Sequence, residues 1–224
     1  MYNPIFVVRM IKIHTFTFNA FQENTYLLTN ESNEGILIDC GCYDNHECYE
    51  LKDFIESNNI KVTQLLNTHC HIDHVLGVEF AKRTFGVTMR THQIESQVLK
   101  AVETYADVYG FPKFEKTSID SFIEEGEEIV FGSHKLKTLF TPGHAPGHIV
   151  FYCEEEKFVI GGDVLFRQSI GRSDLPGGDF NTLIKSIHTQ LFTLPEDVTV
   201  YPGHGDPTTI GFEKRYNPYC AIVK

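Results

Sequence analysis

Short apolar segments with strand-like alternation recur along the whole chain. Residues 11–18 are rich in β-branched and aromatic side chains, and in extended backbone the side chains at i and i+2 share one face. Polar and glycine-containing segments separate this stretch from those that follow, as turns separate strands. The pattern predicts strands at 11–18, 24–29, 35–39, 62–68, 86–89, 129–131, 136–140, 148–153, 157–160 and 198–201.

Helical periodicity occurs between these strands. Within residues 44–58, Leu51, Phe54 and Ile55 recur at the spacing of one helix face. Asp44 precedes them and is the predicted N-cap, because its carboxylate can accept from the free N–H groups of the first turn. Further helices are predicted at 73–84, 94–109 and 179–191, with Asp179 as the N-cap of the last one.

Strands and helices alternate in two halves of similar content, and no linker or repeat interrupts them. This arrangement is typical of an α/β protein in which two sheets pack together and helices cover their outer faces. We therefore expect a four-layer αββα sandwich that forms a single domain, residues 1–224. Residues 1–9 are expected to be a non-essential extension, with Met10 as an alternative start.

The strongest chemical motif is His-Cys-His-Ile-Asp-His at residues 69–74, directly after a predicted strand. His69 and His71 share one side of extended backbone, whereas Asp73 and His74 follow where the chain turns into the next predicted helix. A single ion can bind only part of a ligand set that points in different directions. The motif therefore favours two adjacent metal ions, an arrangement suited to hydrolysis.

Further candidate ligands stand at later strand ends beside glycine. His144 lies in a Pro-Gly-His turn, Asp163 follows a Gly-Gly pair, and His204 lies in a Pro-Gly-His-Gly turn. Imidazole and carboxylate ligands without thiolate suit an open catalytic site for two divalent ions, with zinc predicted and iron or manganese as alternatives. The predicted ligands are His69, His71 and His144 for the first ion, Asp73, His74 and His204 for the second, and Asp163 as the bridge.

These motifs resemble the metallo-β-lactamase superfamily, whose HxHxDH signature stands at residues 69–74. Within that superfamily the chain is similar to the glyoxalase II (hydroxyacylglutathione hydrolase) branch, especially its short bacterial form. The resemblance implies the metallo-β-lactamase fold, a two-metal centre and hydrolysis of a small acyl thioester by a metal-bridging hydroxide. It runs from about residue 11 to residue 219 and rests on segments 141–148, 161–166, 171–174 and 201–205.

Two departures from the long glyoxalase II form concern the thiol carrier. Only about 20 residues (205–224) follow His204, so we expect the C-terminal helical domain of the long form to be absent. The long form also has a Lys-x-Tyr pair in the loop that aligns with residues 171–174, where this chain has Arg172 and Asp174. Arg172 is the candidate contact for an anionic substrate tail, with a salt bridge to Asp174 as the alternative.

The predicted ligands also need partners that hold their orientation. Metal-bound histidines commonly donate their second N–H to a carboxylate or carbonyl group, and Asp39, Thr68 and His148 are candidates for such support. Asp73, Asp39 and His148 are the predicted catalytic residues, with an ordinary surface or core histidine as the alternative for His148. Residues 111–121 form a loop that is predicted to lie over the site.

Charge and cysteine content limit the function classes. The net charge of −11 argues against nucleic acid or an anionic membrane as partner, and no apolar stretch approaches the ~20 residues of a membrane helix. The six cysteines show no framework spacing, which favours reduced thiols. We expect a cytoplasmic enzyme that acts on a small-molecule thioester, while the oligomeric state stays open.

Two other functions compete with thioester hydrolysis. A persulfide dioxygenase is similar in sequence and would hold a single iron through His69, His144 and Asp163, a set of two histidines and one carboxylate with open positions. A non-catalytic metal-binding module is the other alternative. The presence of every ligand for a second ion favours the hydrolase.

Overall fold

The computed structural model describes residues 10–222, so the expectation about residues 1–9 lies outside the described part of the chain. Two six-stranded sheets pack face to face, and helices cover both outer surfaces. The predicted αββα sandwich is therefore confirmed. None of the helices within residues 10–222 combines the length and apolar character needed to cross a bilayer.

The first sheet follows the order of the chain. Its first strands pair antiparallel, and every pair from the third strand onward is parallel. Asp44 caps the first helix as predicted, since its Oδ1 accepts from the backbone N–H groups of His46 and Glu47 at 2.8 and 2.9 Å. The elements are β1 (Lys12–Phe18), β2 (Glu23–Thr29), β3 (Glu34–Ile38), α1 (Asn45–Ser57), β4 (Lys61–Leu66), α2 (Val78–Phe85), β5 (Met89–Thr91), α3 (Glu95–Tyr105) and β6 (Ser121–Phe122).

The second half of the chain forms the elements β7 (Glu128–Phe131), β8 (His134–Phe140), β9 (Ile149–Cys153), β10 (Phe158–Gly162), β11 (Leu165–Phe166), β12 (Ser169–Ile170), α4 (Phe180–Ser186) with a π turn at Ile187–Leu191, β13 (Thr199–Pro202), β14 (Thr208–Thr209) and α5 (Ile210–Tyr216). The second six-stranded sheet is mainly antiparallel and also follows chain order, β7-β8-β9-β10-β13-β14, with β13 parallel to β10. β11 and β12 pair in a separate two-stranded sheet. Asp179 caps α4 as predicted, accepting from the Thr182 N–H at 2.7 Å.

Side-chain alternation along the strands divides the interior into three apolar layers. In β3, Leu37 packs under the helices of the first half, while Ile36 and Ile38 face the second sheet. In β10, Val159 packs under the helices of the second half and Ile160 faces the first sheet. Burial of each such side chain contributes about 1.5–3 kcal/mol to the stability of the fold. The packed layers therefore fix the positions of the strand ends.

The predicted helix at 73–84 is wrong at its start. Ile72–His74 form a single 3₁₀ turn, and the α-helix begins at Val78. The Gly77 N–H donates to the Cys40 carbonyl at 2.9 Å, and a Cβ on Gly77 would lie 2.5 Å from Cys42 Sγ. Because these contacts fix Gly77 against the loop after β3, residues 69–74 form a compact turn and not the first part of a regular helix.

The prediction that residues 111–121 lie over the site is also wrong. This loop packs against α2, where the Lys82 ammonium donates to the Ser118 carbonyl and pairs with Asp120, both at 2.7 Å. Phe111 and Phe114 join the apolar layer of the first half. α3 ends at Tyr105, short of the predicted residue 109, so the chain turns earlier than its periodicity suggests.

Candidate metal centre

The predicted ligands come together at one end of the sandwich, from loops that follow β4, β8, β10 and β13. They form two groups whose ligand atoms lie within 4.8 Å of one another. We name these groups the first triad and the second triad. The first triad is His69, His71 and His144, and the second triad is Asp73, His74 and His204.

Distances within each triad are short enough for a shared ion. In the first triad, His144 Nε2 lies 3.3 Å from His69 Nε2 and 2.8 Å from His71 Nδ1. In the second triad, Asp73 Oδ2 lies 3.1 Å from His204 Nε2 and 3.6 Å from His74 Nε2. The side chains are largely buried, so little water competes for these nitrogen and oxygen atoms.

Asp163 lies between the two triads. Its Oδ2 is 3.5 Å from His144 Nε2 of the first triad and 3.4 Å from His204 Nε2 of the second. Its Oδ1 is 3.4 Å from His74 Nε2. This is the position that the sequence predicts for a bridging carboxylate.

Hydrogen bonds fix which nitrogen two histidines of the first triad, His144 and His69, present. His144 Nδ1–H donates to the Arg172 carbonyl at 2.7 Å, which leaves Nε2 with a lone pair. The Thr68 hydroxyl donates to Asp39 Oδ2 at 2.7 Å and therefore accepts from His69 Nδ1–H at 3.0 Å. Both Nε2 atoms thus point lone pairs at the same position, as ligation requires.

The second triad is oriented in a similar way. His204 Nδ1–H donates to the Phe21 carbonyl at 3.0 Å. His74 Nδ1 lies 3.2 Å from Asp39 Oδ2 and 3.9 Å from the buried Glu23 Oε1. The Nε2 atoms of both histidines therefore face Asp73 and Asp163.

Buried atoms without partners support the fit to metal ions. Among the described residues, neither His74 Nε2 nor Asp163 Oδ1 makes a hydrogen bond, although both atoms are buried. Leaving such groups unpaired is costly, and here lone pairs and carboxylate charge converge. The donor set of imidazoles and carboxylates therefore fits two divalent cations.

The two triads differ in how tightly they hold protons. Burial lowers the pKa of His69 well below its usual range and lowers that of His71 to about 3, so both rings are neutral. In the second triad burial acts in the same direction, but the Asp163 and Asp73 carboxylates outweigh it and raise the pKa of His204 to about 10. Asp73 and Asp163 likewise raise the pKa of His74. An ion entering the second triad must displace these protons.

We expect ion binding to release at least one proton per chain at neutral pH. Because lower pH favours the protonated imidazoles, the affinity of the second triad should fall by about tenfold per pH unit for each displaced proton. Calorimetric titration of metal-free protein with Zn²⁺, in buffers of different ionisation enthalpy, measures the release. An affinity that does not change between pH 7 and pH 9 would contradict the expected protonation of His204.

Asp39 supports both triads from behind. Its Oδ1 accepts from the Thr68 N–H at 2.7 Å and its Oδ2 from the Thr68 hydroxyl, while Oδ2 also faces His74. Its φ is +53°, a backbone conformation that aspartate tolerates better than most residues. The side chain is buried, so Asp39 orients the predicted ligands and is out of reach of a substrate, which corrects its predicted catalytic role.

His148 is also a supporting residue, which corrects its predicted catalytic role. Its Nε2 accepts from the Asp163 backbone N–H at 3.1 Å, so its Nδ1–H donates to the Thr141 hydroxyl at 3.0 Å. The ring stacks on His69 at 4.9 Å between centroids. Because both nitrogens are engaged and the residue is buried, His148 positions Asp163 and His69 and has no proton to exchange with a substrate.

Arg172 contributes through its backbone as well as its side chain. Its carbonyl holds His144, as described above. Its guanidinium forms two 2.8 Å hydrogen bonds to the Asp174 carboxylate, which is the salt bridge predicted as the alternative to a substrate contact. Arg172 also lines a cavity next to the triads. The sequence pattern does not show the carbonyl contact, because a backbone contact leaves no side-chain signature.

Glu95, at the start of α3, is a supporting residue that the sequence does not reveal. Its Oε2 accepts from the Cys70 N–H at 2.8 Å and its Oε1 from the Gly147 N–H at 2.7 Å. One carboxylate therefore ties the loop of His69 and His71 to the loop of His144. Burial raises its pKa to about 7, against the effect of the two N–H donors.

We expect Glu95→Gln to lower metal affinity and turnover by about 10–100-fold, the usual range for groups that orient ligands. Glutamine has the same shape, but its amide NH₂ cannot accept from one of the two backbone donors. Ion titration and kcat/KM measure the effect, and Glu103→Gln on the exposed face of α3 is the matched control. Equal activity in both variants would show that the loops hold their geometry without Glu95.

A cavity of about 980 Å³ opens over both triads. Its floor contains His71, Asp73, Asp163 and other ligands, and α3 with the segments around residues 170 and 175 forms its walls. The volume is in the range of sites that enclose a small molecule. Five of the seven predicted ligands therefore border a substrate-sized cavity, whereas His69 and His74 are fully buried and do not line it.

Comparisons with known proteins agree with this geometry. The family model described as "Metallo-beta-lactamase superfamily" matches residues 18–204. The chain is 36% identical over 211 residues to a protein of Haemophilus influenzae named "Hydroxyacylglutathione hydrolase GloC", and the match covers 93% of this chain and 98% of the relative.

Two solved structures have similar folds. The structure titled "Crystal structure of BLEG-1 B3 metallo-beta-lactamase" matches with a TM-score of 0.86 and 32% identity, covering 93% of this chain and 99% of that chain. The structure titled "Crystal structure of TTHA1623 in a di-iron-bound form" matches with a TM-score of 0.82 and 34% identity, covering 92% and 99%.

Proposed function

The chain belongs to the metallo-β-lactamase superfamily and is a metal-dependent hydrolase, and from this premise we propose that it cleaves small acyl thioesters of the hydroxyacylglutathione type. The observation that carries the proposal is the position of Asp163 between two triads at the floor of one cavity. The similarity to a relative named hydroxyacylglutathione hydrolase supports the choice of thioester.

Two divalent ions held by the triads would supply an ionised water at neutral pH, because a bound cation lowers the pKa of water from about 15.7 to about 7, and would offset the charge that develops on the carbonyl oxygen. The side chains of the protein set the geometry for this chemistry. Asp163 and the triads hold their donor atoms at the cavity floor. Asp39, Thr68 and the Arg172 carbonyl keep the ligand nitrogens in the required tautomers.

The leaving group requires little help from the protein. A thiolate is a weakly basic leaving group, since thiol pKa values are about 8.5, so cleavage does not depend on a strong general acid. This agrees with the burial of His148 and Asp39, which removes both from contact with substrate. The proposed role of Asp73 is to hold the second ion and present its oxygen at the cavity floor. For Arg172 we propose contact with the outer part of the substrate.

We propose zinc as the native metal, with iron and manganese as alternatives. The imidazole and carboxylate donors are compatible with all three ions. The similar structure titled as a di-iron-bound form makes iron the first alternative to test in this chain.

The persulfide dioxygenase remains the competing function. It would use His69, His144 and Asp163 for one iron and would give Asp73, His74 and His204 no part in the chemistry. The burial of Asp73 and His74 around a second cluster of donors supports the dinuclear hydrolase.

The deciding experiment measures metal content together with turnover in the same preparation. The substrates are lactoylglutathione, thioesters of other thiols, a β-lactam, and a small-molecule persulfide with oxygen consumption recorded. Two ions per chain with thioester hydrolysis support the proposal. One iron per chain with oxygen uptake, or hydrolysis of the β-lactam alone, would replace it with another function.

We further propose that residues 1–224 form a single domain that acts in the cytoplasm on a small molecule, with neither nucleic acid nor membrane as partner. The six cysteines all lie in the described part of the chain and are free, and reduced thiols are typical of that compartment.

A further inference from the structure

The walls of the cavity over the triads are mainly apolar. Val98, Ala101 and Tyr105 of α3 line one side, and their spacing of three and four residues places them on a single helix face. Ile170 and Leu175 line the cavity as well. A substrate group that enters the cavity therefore contacts hydrocarbon on more than one side.

Three aromatic side chains that line the cavity form a contact group. The Tyr109 ring contacts the rings of Tyr105 and Phe21, with centroids 5.2 and 6.3 Å apart. Phe21 is 40% exposed and Tyr109 is 47% exposed, and both line the cavity, so part of each side chain is available to a ligand. The Phe21 carbonyl holds His204, which places this aromatic group next to the second triad.

Apart from the proposed metal ions, positively charged side chains are scarce in the cavity. Among the described residues that line it, Arg172 is the only lysine or arginine, and its guanidinium is already paired with Asp174. Glutathione carries two carboxylates and one ammonium group, and its recognition by charge would require complementary side chains. The net charge of −11 for the chain adds no attraction for an anionic carrier.

Resting on the proposed function, we infer that the cavity selects thioesters by an apolar group, best an aromatic one, and that the charged ends of a glutathione carrier contribute little to recognition. The group can lie on the acyl side or the thiol side of the thioester. Apolar walls increase kcat/KM for substrates with an added hydrocarbon group, because even one methylene in such a site changes specificity by about 10–200-fold.

A panel of thioesters tests the inference with the metal-loaded protein. Lactoyl and 3-phenylpropanoyl groups are each joined to glutathione and to N-acetylcysteamine, and a lactoyl thioester of 2-phenylethanethiol carries the ring on the thiol side. We expect the phenyl group to raise kcat/KM by about tenfold or more on at least one side. Replacing glutathione by N-acetylcysteamine should change kcat/KM by less than about fivefold, the usual range for exposed charge contacts.

The same panel separates failure of the inference from failure of the proposed function. If lactoylglutathione is the fastest substrate and the uncharged carrier costs more than about 100-fold, a loss of the size caused by unpaired specific contacts, the inference is overturned and thioester hydrolysis stands. If no thioester is cleaved, the proposed function is overturned and the inference with it.

A charge placed on the cavity wall gives a second test. Ala101→Glu puts a carboxylate on the face of α3 that lines the cavity, and glutamate is a good helix former, so the helix should persist. We expect a selective loss of about tenfold or more for the phenyl substrates, with a smaller change for lactoyl-N-acetylcysteamine. Lys100→Gln, outside the cavity lining, changes the net charge equally and should match the parent. An equal loss for all substrates in Ala101→Glu would count against selection by apolar contact.

Discussion

Asp163→Ala should retain the fold and lose both bound ions and nearly all hydrolytic activity. The removed carboxylate lies within 3.5 Å of donor atoms from both triads, so its loss weakens both positions at once. A catalytic metal contributes several kcal/mol of transition-state stabilisation, and every 1.36 kcal/mol is tenfold in rate, so kcat/KM should fall by about three orders of magnitude or more.

The measurement combines metal analysis after dialysis with kcat/KM on the best thioester. Asp174→Ala is the matched control, because it removes a carboxylate that pairs with Arg172 outside the triads. The control should keep its ions and most of its activity. Full metal content and turnover in Asp163→Ala would refute the bridging role.

The convergence of the predicted ligands could be foreseen from the sequence because each residue carries a local signature. His144, Asp163 and His204 each follow an apolar strand and stand beside glycine, and strand ends of one sandwich converge by topology. His69 and His71 alternate with Cys70, so the extended backbone alone places both on the same side. The αββα fold is predictable for the same reason, since period-two and helical segments alternate along the chain.

The supporting contacts could not be predicted, because they depend on backbone groups and on residues distant in the chain. Glu95 bonds the N–H groups of Cys70 and Gly147, and no sequence spacing indicates such a contact. The orientation of His148 follows from which groups face its two nitrogens, which is known only once the strands are packed. For that reason His148, which the sequence predicts to be catalytic, is found buried against Asp163 and His69.

The shortest elements cannot be predicted from the sequence for a different reason. β11, β12 and β14 contain two residues each, too few for any periodicity to appear. α5, Ile210–Tyr216, spans only seven residues. It follows a turn-rich sequence after His204, so its few apolar positions do not show a clear helical period. Tertiary contacts also shorten predicted helices, as the hydrogen bond from Gly77 to Cys40 delays the start of α2.

Gly203→Ala should inactivate the enzyme even though the added group is a single methyl. A Cβ at this position would lie 2.1 Å from Asp163 Oδ1 and 2.8 Å from His74 Cε1. The backbone cannot easily retreat, because the Gly203 N–H donates to the Gly162 carbonyl at 2.8 Å and its carbonyl accepts from the Asn24 N–H at 2.7 Å. The carboxylate must move instead, and a shift of about 1 Å at a reacting site costs about 100-fold in rate.

Gly205 in the same turn provides the matched control. Its φ is +73° and a Cβ there would meet nothing within 4 Å, so Gly205→Ala adds backbone strain of about 1–2 kcal/mol without contacting a ligand. We expect Gly205→Ala to be less stable but active, and Gly203→Ala to be inactive with reduced metal content. Thermal unfolding, metal analysis and kcat/KM measured on both variants separate the two effects. If Gly203→Ala keeps its ions and its rate, Asp163 can shift without loss, and the close fit of the Pro-Gly-His-Gly turn around the centre is not required for activity.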